Sequence, residues 1–164
     1  LRKDEGDLDG VGFQWNHFVL AGDPANERPA ARGNVNGDAF GCPDGLWVDS
    51  RGVLWIQTDM STSAMGKGDL ARLGNNCMLA ADPKTGEVRR FLTGPLGCEI
   101  TGATGTPDGR TMFINVQHPG ESPSERSDPD QPRRVSNWPD KNPAGRPRSA
   151  TVVIRKNDGD MIGM

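Results

Sequence analysis

Two carboxylates stand where strands of similar local sequence begin. Asp44 lies in Cys42-Pro43-Asp44-Gly45-Leu46, and Glu99 in Gly97-Cys98-Glu99-Ile100-Thr101-Gly102. If neighbouring sheets gathered these positions around one axis, the two acids would repel each other unless a cation lay between them. Oxygen donors of this kind suit a hard ion such as calcium, or iron when stronger anionic donors join them. The same residues also fit simpler roles, Asp44 capping a turn after Pro43 and Glu99 ending a strand in solvent. Asn36 and Asp38, on the glycine-rich loop Gly33-Asn34-Val35-Asn36-Gly37-Asp38, offer further oxygens. That loop lacks the ligand spacing and flanking helices of an EF-hand, and reads equally as a run of Asx turns.

Other chemistries find no footing. His17 and His118 stand isolated in the sequence, and no G-x-S-x-G, H-E-x-x-H or P-loop is present, so no catalytic side chain can be named. Cys42, Cys77 and Cys98 form no C-x-x-C pair and are odd in number, which excludes a zinc ribbon and a complete set of disulfides. They read as small, semi-buried thiols. A net charge of −3 provides no general field for nucleic acid. No apolar run approaches the ~18 residues of a membrane span, and no signal peptide is visible. The chain opens on Leu1, not Met, so a fragment and a processed chain both stay open as readings.

The elements that would position Asp44 and Glu99 are short strands. Residues 45–49 and 53–58 are apolar-rich runs around Ser50-Arg51-Gly52, which predicts a hairpin. Residues 77–81 and 87–92 flank Asp82-Pro83-Lys84-Thr85-Gly86, and residues 100–105 and 111–116 flank Thr106-Pro107-Asp108-Gly109-Arg110. A last run covers 150–155, and an aromatic, alternating run over Phe13–Leu20 predicts one more strand. No window supports an amphipathic helix of ten residues; the best, Lys67–Leu73, is short and interrupted by Gly68.

The punctuation of 45–57 returns in 102–115, and four strands per interval of 57 residues is the pattern of a propeller blade with long loops. The fold expected is therefore all-β, a partial β-propeller of about two to three four-stranded blades. Residues 119–149 hold seven of the 13 prolines and almost no aliphatics. They are expected to form a Pro-rich surface insertion loop anchored by Trp138.

Longer strings narrow the reading further. They are Gly33–Asp49, Leu54–Asp59, Gly74–Pro83, Arg89–Gly102, Asn115–Glu121, Ser136–Asp140 and Arg146–Ile154. In that order they resemble the C-terminal third of a PhoX-type alkaline phosphatase. The resemblance implies a propeller that carries calcium and iron, hydrolyses phosphate monoesters and is exported through a twin-arginine leader, hence periplasmic or extracellular. It implies Asp44 and Glu99 as channel-facing metal ligands, with Asn36 and Asp38 as weaker candidates. The family enzyme is much longer, and its N-terminal part supplies much of the cluster, including a cysteine thiolate on iron. No motif assigns that role to Cys42, Cys77 or Cys98. The isolated chain is thus expected to be inactive, with open strand edges that pair with missing blades or with another copy. Two alternatives remain: a non-catalytic interaction segment, and a calcium-dependent lactonase-like propeller, whose single calcium without iron would distinguish it.

Overall fold

The computed structural model describes residues 11–12, 14–121, 128–142 and 144–163. Nearly all of its regular structure is strand. β1 (Asn36–Gly37), β2 (Pro43–Val48), β3 (Leu54–Thr58), β4 (Cys77–Ala81) and β5 (Glu87–Thr93) form one sheet in the order β1-β5-β4-β3-β2. β6 (Glu99–Gly105), β7 (Met112–Gln117) and β8 (Ala150–Ile154) form a second, in chain order. Among the described residues, helix is limited to single 3-10 turns at Pro29–Ala31 and Gly68–Leu70, the latter inside the window that was the best helical candidate.

Turn chemistry sets the hairpins. Between β2 and β3, Asp49 Oδ1 accepts the Arg51 and Val53 N–H groups, and Gly52 takes the left-handed backbone (φ 86°) that closes the loop. Asp82 accepts the Lys84 N–H before β5, and Asp108 accepts the Arg110 N–H before β7. The resulting ladders β2–β3, β3–β4 and β4–β5 are all antiparallel, as are β6–β7 and β7–β8.

β3 is buried on both faces, and this explains its nearly continuous apolar sequence. Trp55 points into a cluster shared by the two sheets, with Met78, Cys98, Ile100, Met112, Ile114, Val116 and Ile162. Its ring stacks on Trp47 at 6.4 Å and meets the edge of Phe91 at 5.0 Å. Its indole N–H donates to Asp49 Oδ2 at 3.2 Å. Ile56 points the other way, into a second cluster with Phe40, Cys77, Leu79, Ala81 and Val88, over which Val19, Ala21 and Val35 close. Sharing the first cluster brings β6 against β2, β3 and β4.

The aromatic run near the N-terminus does not form the expected strand. Phe13 lies outside the described residues, Gln14 makes an isolated bridge, and 15–20 is irregular. Trp15, Phe18 and Leu20 stay exposed, and beyond the single bridge at Gln14 the described residues 15–20 form no strand. It is held instead by the Leu20 N–H on Asn34 Oδ1 and the Asn34 N–H on the Leu20 carbonyl.

β7 and β8 pair directly although the chain between them is long. The described part of that chain carries no strand or helix. Trp138 packs on the shared cluster, and Arg148 Nε and Nη2 each donate to the Asp140 carboxylate at 2.9 Å.

Candidate metal centre

Antiparallel pairing brings the end of one strand beside the start of its partner. Pro43 at the head of β2 therefore faces Thr58 at the foot of β3, and Glu99 at the head of β6 faces Gln117 at the foot of β7. The residues just beyond those feet, Asp59 and His118, complete the site. Oxygens of Asp59 and Glu99 and a ring nitrogen of His118 all lie within 4.8 Å of one another.

Glu99 is the buried member, 7% exposed. Its Oε2 accepts a hydrogen bond from Gln117 Nε2 at 2.7 Å and lies 3.6 Å from His118 Nε2. Burial pushes its carboxyl above the ordinary value, and the charges of Asp59 and Asp44 push the same way, while His118 opposes them. Asp44 is exposed at the head of β2, close enough for its charge to be felt at Glu99.

His118 Nδ1 lies 3.3 Å from the Gly97 carbonyl, which can only accept, so that bond requires the proton on Nδ1. Nε2 is then the ring nitrogen left beside Glu99 Oε2, at a spacing that a cation can bridge. Glu121 Oε2 lies 3.7 Å from Nδ1 and accepts the Thr62 hydroxyl at 3.2 Å. Two of the non-glycine residues in left-handed backbone border this site, Cys42 (φ 50°) and His118 (φ 36°). Such backbone costs about 1–2 kcal/mol per residue. The Cys42 carbonyl accepts the Asp59 N–H at 3.1 Å, and the His118 N–H donates to Ser149 Oγ at 3.0 Å.

The donor set suits a cation that accepts both carboxylate and imidazole, and binding one would relieve the repulsion at Glu99. Asn36 and Asp38 do not join it. Asn36 pairs with Glu87 at the β1–β5 edge, and Asp38 Oδ2 accepts the Arg90 N–H at 2.8 Å. In the sheet order, β4 and β3 lie between that edge and β2.

The three thiols are unpaired. Cys77 and Cys98 are buried, and burial pushes Cys98 up to about 12, so it holds its proton at neutral pH. Burial and the Asp59 charge also raise Cys42.

Asp59 and His118 are the members of this candidate cluster that the sequence did not single out. The signal was present in the hairpins: a strand that begins with a candidate ligand brings the exit of its partner beside it.

Comparison with known proteins identifies the family. The profile of the family described as "Alkaline phosphatase PhoX" matches residues 1–120. A solved structure, Pseudomonas fluorescens PhoX in complex with vanadate, a transition state analogue, is 43% identical and superimposes with a TM-score of 0.75. The match covers 89% of this chain and 24% of that one, so the chain spans about a quarter of the matched protein. No curated protein matches. On the extent of the profile match and the identity to that structure, the chain belongs to the PhoX alkaline phosphatase family.

Proposed function

We propose that this chain is the C-terminal part of a metal-dependent phosphomonoesterase, in which its two sheets are blades, or parts of blades, of a larger β-propeller. The observation that carries the proposal is the convergence of Asp59, Glu99 and His118, from both sheets, in a member of a phosphatase family. Asp44 joins them as a fourth candidate, at the head of the hairpin that ends in Asp59.

Glu99, Asp59 and His118 would hold the cation, with Gln117 orienting the Glu99 carboxylate and Gly97 setting the His118 tautomer. A bound cation supplies neutralisation of the phosphate oxygens and orientation of the ester. Calcium and iron are the ions of this reading, the carboxylates serving either and the imidazole favouring iron. The substrates are small phosphate monoesters. Export to the periplasm or beyond belongs to the same proposal; among the described residues no helix is long and apolar enough to cross a membrane. In this reading 119–149, of which 122–127 and 143 lie outside the described residues, is an inserted surface segment, its end rooted at the site where Ser149 Oγ accepts the His118 N–H.

Hydrolysis of p-nitrophenyl phosphate by this chain, and by the product of the whole reading frame that encodes it, tests the proposal. Turnover is expected in the longer product, with loss on EDTA treatment and on Glu99→Gln. Turnover unchanged after complete metal removal would refute it.

A second reading is favoured by one observation. Leu46 and Val48 on the edge strand β2, and Val153 on the edge strand β8, are exposed. Such edges suit pairing with further strands, from the rest of a ring or from a second copy. If this is the chain's main role, it runs as an oligomer on a sizing column and shows no hydrolysis alone.

A further inference from the structure

We propose that Asn76 is a positioning residue that holds Asp59 and Glu99 at the separation a shared cation needs; this rests on the cation reading above. Asn76 stands one residue before β4, is 1% exposed, and uses all four hydrogen-bonding positions of its amide. Its Oδ1 accepts the Met60 N–H at 2.6 Å and the Thr58 hydroxyl at 3.0 Å. Its Nδ2 donates to the Met60 carbonyl at 3.0 Å and to the Cys98 carbonyl at 2.8 Å.

Those partners are the chain neighbours of the two carboxylates. Thr58 and Met60 flank Asp59, and Cys98 immediately precedes Glu99. One buried amide thus ties the foot of β3, in the five-stranded sheet, to the head of β6, in the three-stranded one. Apolar packing between sheets fixes their distance but has no direction, whereas these bonds fix the approach of two named backbone segments. Neighbouring bonds stiffen the same loop: the Asn76 carbonyl accepts the Gly94 N–H, and Asn75 Nδ2 donates to the Gly94 and Pro95 carbonyls at 2.8 Å each. Alanine lacks both amide functions, and a longer glutamine would not fit the same four partners.

Mn2+ serves as the probe, since it accepts oxygen and nitrogen donors and its free fraction is read by EPR. The unaltered chain is compared with Asn76→Ala, with the milder Asn76→Ser in case alanine prevents folding, and with Val88→Ala. Val88 lies in the second cluster, so its truncation destabilises the fold without touching the tie. At a temperature where circular dichroism shows each protein folded, the Asn76 variants are expected to bind Mn2+ 10- to 100-fold more weakly, and Val88→Ala within twofold of the unaltered chain. Equal affinity in the Asn76 variants, or an equal loss in Val88→Ala, would overturn the positioning role. No Mn2+ uptake by the unaltered chain would overturn the cation reading itself, and the role of Asn76 with it.

Discussion

Replacing Glu99 with glutamine separates what the carboxylate costs the fold from what it does for a cation. Two unit charges 4.8 Å apart interact by about 3.5 kcal/mol at an effective dielectric of 20. Asp59 is exposed, so solvent screening reduces its repulsion of Glu99 to about 1–2 kcal/mol. Glutamine keeps an oxygen for the Gln117 Nε2 donor but exchanges a charge-assisted bond for a neutral one, a loss of about 0.5–1 kcal/mol. The balance is a gain of about 0–1.5 kcal/mol for the metal-free variant at pH 8, or roughly 0–6 °C in Tm for a chain of this size.

The pH dependence follows from the raised carboxyl of Glu99. The folded state binds its proton more tightly than the unfolded state does, so the destabilisation is absent below the ordinary value of 4.5. It grows as pH rises through the folded value and is complete above it. The advantage of Glu99→Gln is therefore absent in acid and grows toward pH 8. Saturating Mn2+ inverts the order, because a ligand at 100 times its Kd adds about 2.7 kcal/mol to the unaltered protein and little to the variant. Differential scanning calorimetry of both proteins at pH 4 and pH 8, in EDTA and in Mn2+, compares them under all four conditions. A variant less stable than the unaltered protein in EDTA at pH 8, or an identical response to Mn2+, would refute the reasoning.

Two further substitutions probe the frame around the site. Burial raises the Asp49 carboxyl more than any one contact lowers it, but the bonds from Arg51, Trp55 and the Arg51 and Val53 N–H groups together hold it below the ordinary value. Asp49→Ala should cost about 2 kcal/mol in urea denaturation at pH 7. Since the folded carboxyl is depressed, the difference should persist above the ordinary value of 3.8 and shrink only as pH falls through the lower folded value. Gly45→Ala would press a Cβ into Gln57 Oε1, and Gln57 is 2% exposed with little room to retreat. The expected cost is about 1–3 kcal/mol by the same denaturation assay, with weaker Mn2+ binding because the strain falls beside Asp44.

Much of the fold was legible because its turns are written in residue types with one mechanical use. Gly52, Gly86 and Gly109 all take positive φ at the places where the glycine-bearing loops between apolar runs predicted hairpins. Asp44 and Glu99 could be singled out because each opens a strand in a recurring local pattern. Asp59 and His118 could not be found by scanning for motifs, since they become neighbours only after two hairpins and the packing of β6 against β3 are in place. Asn36 shows the opposite failure. An asparagine and aspartate loop resembles a ligand loop, but here its backbone adds a short parallel strand to β5, fifty residues away in sequence. The aromatic run at 14–20 carried strand propensity but pairs no further than the single bridge at Gln14, and propensity alone forms no sheet.

The central claim is that strand ends from two sheets share one cation, and anomalous diffraction from crystals of this chain grown with Mn2+ tests it most directly. A peak is expected within about 2.0–2.4 Å of Asp59 and Glu99 carboxylate oxygens and of His118 Nε2. A peak elsewhere on the molecule, or none beside these three side chains, would contradict it.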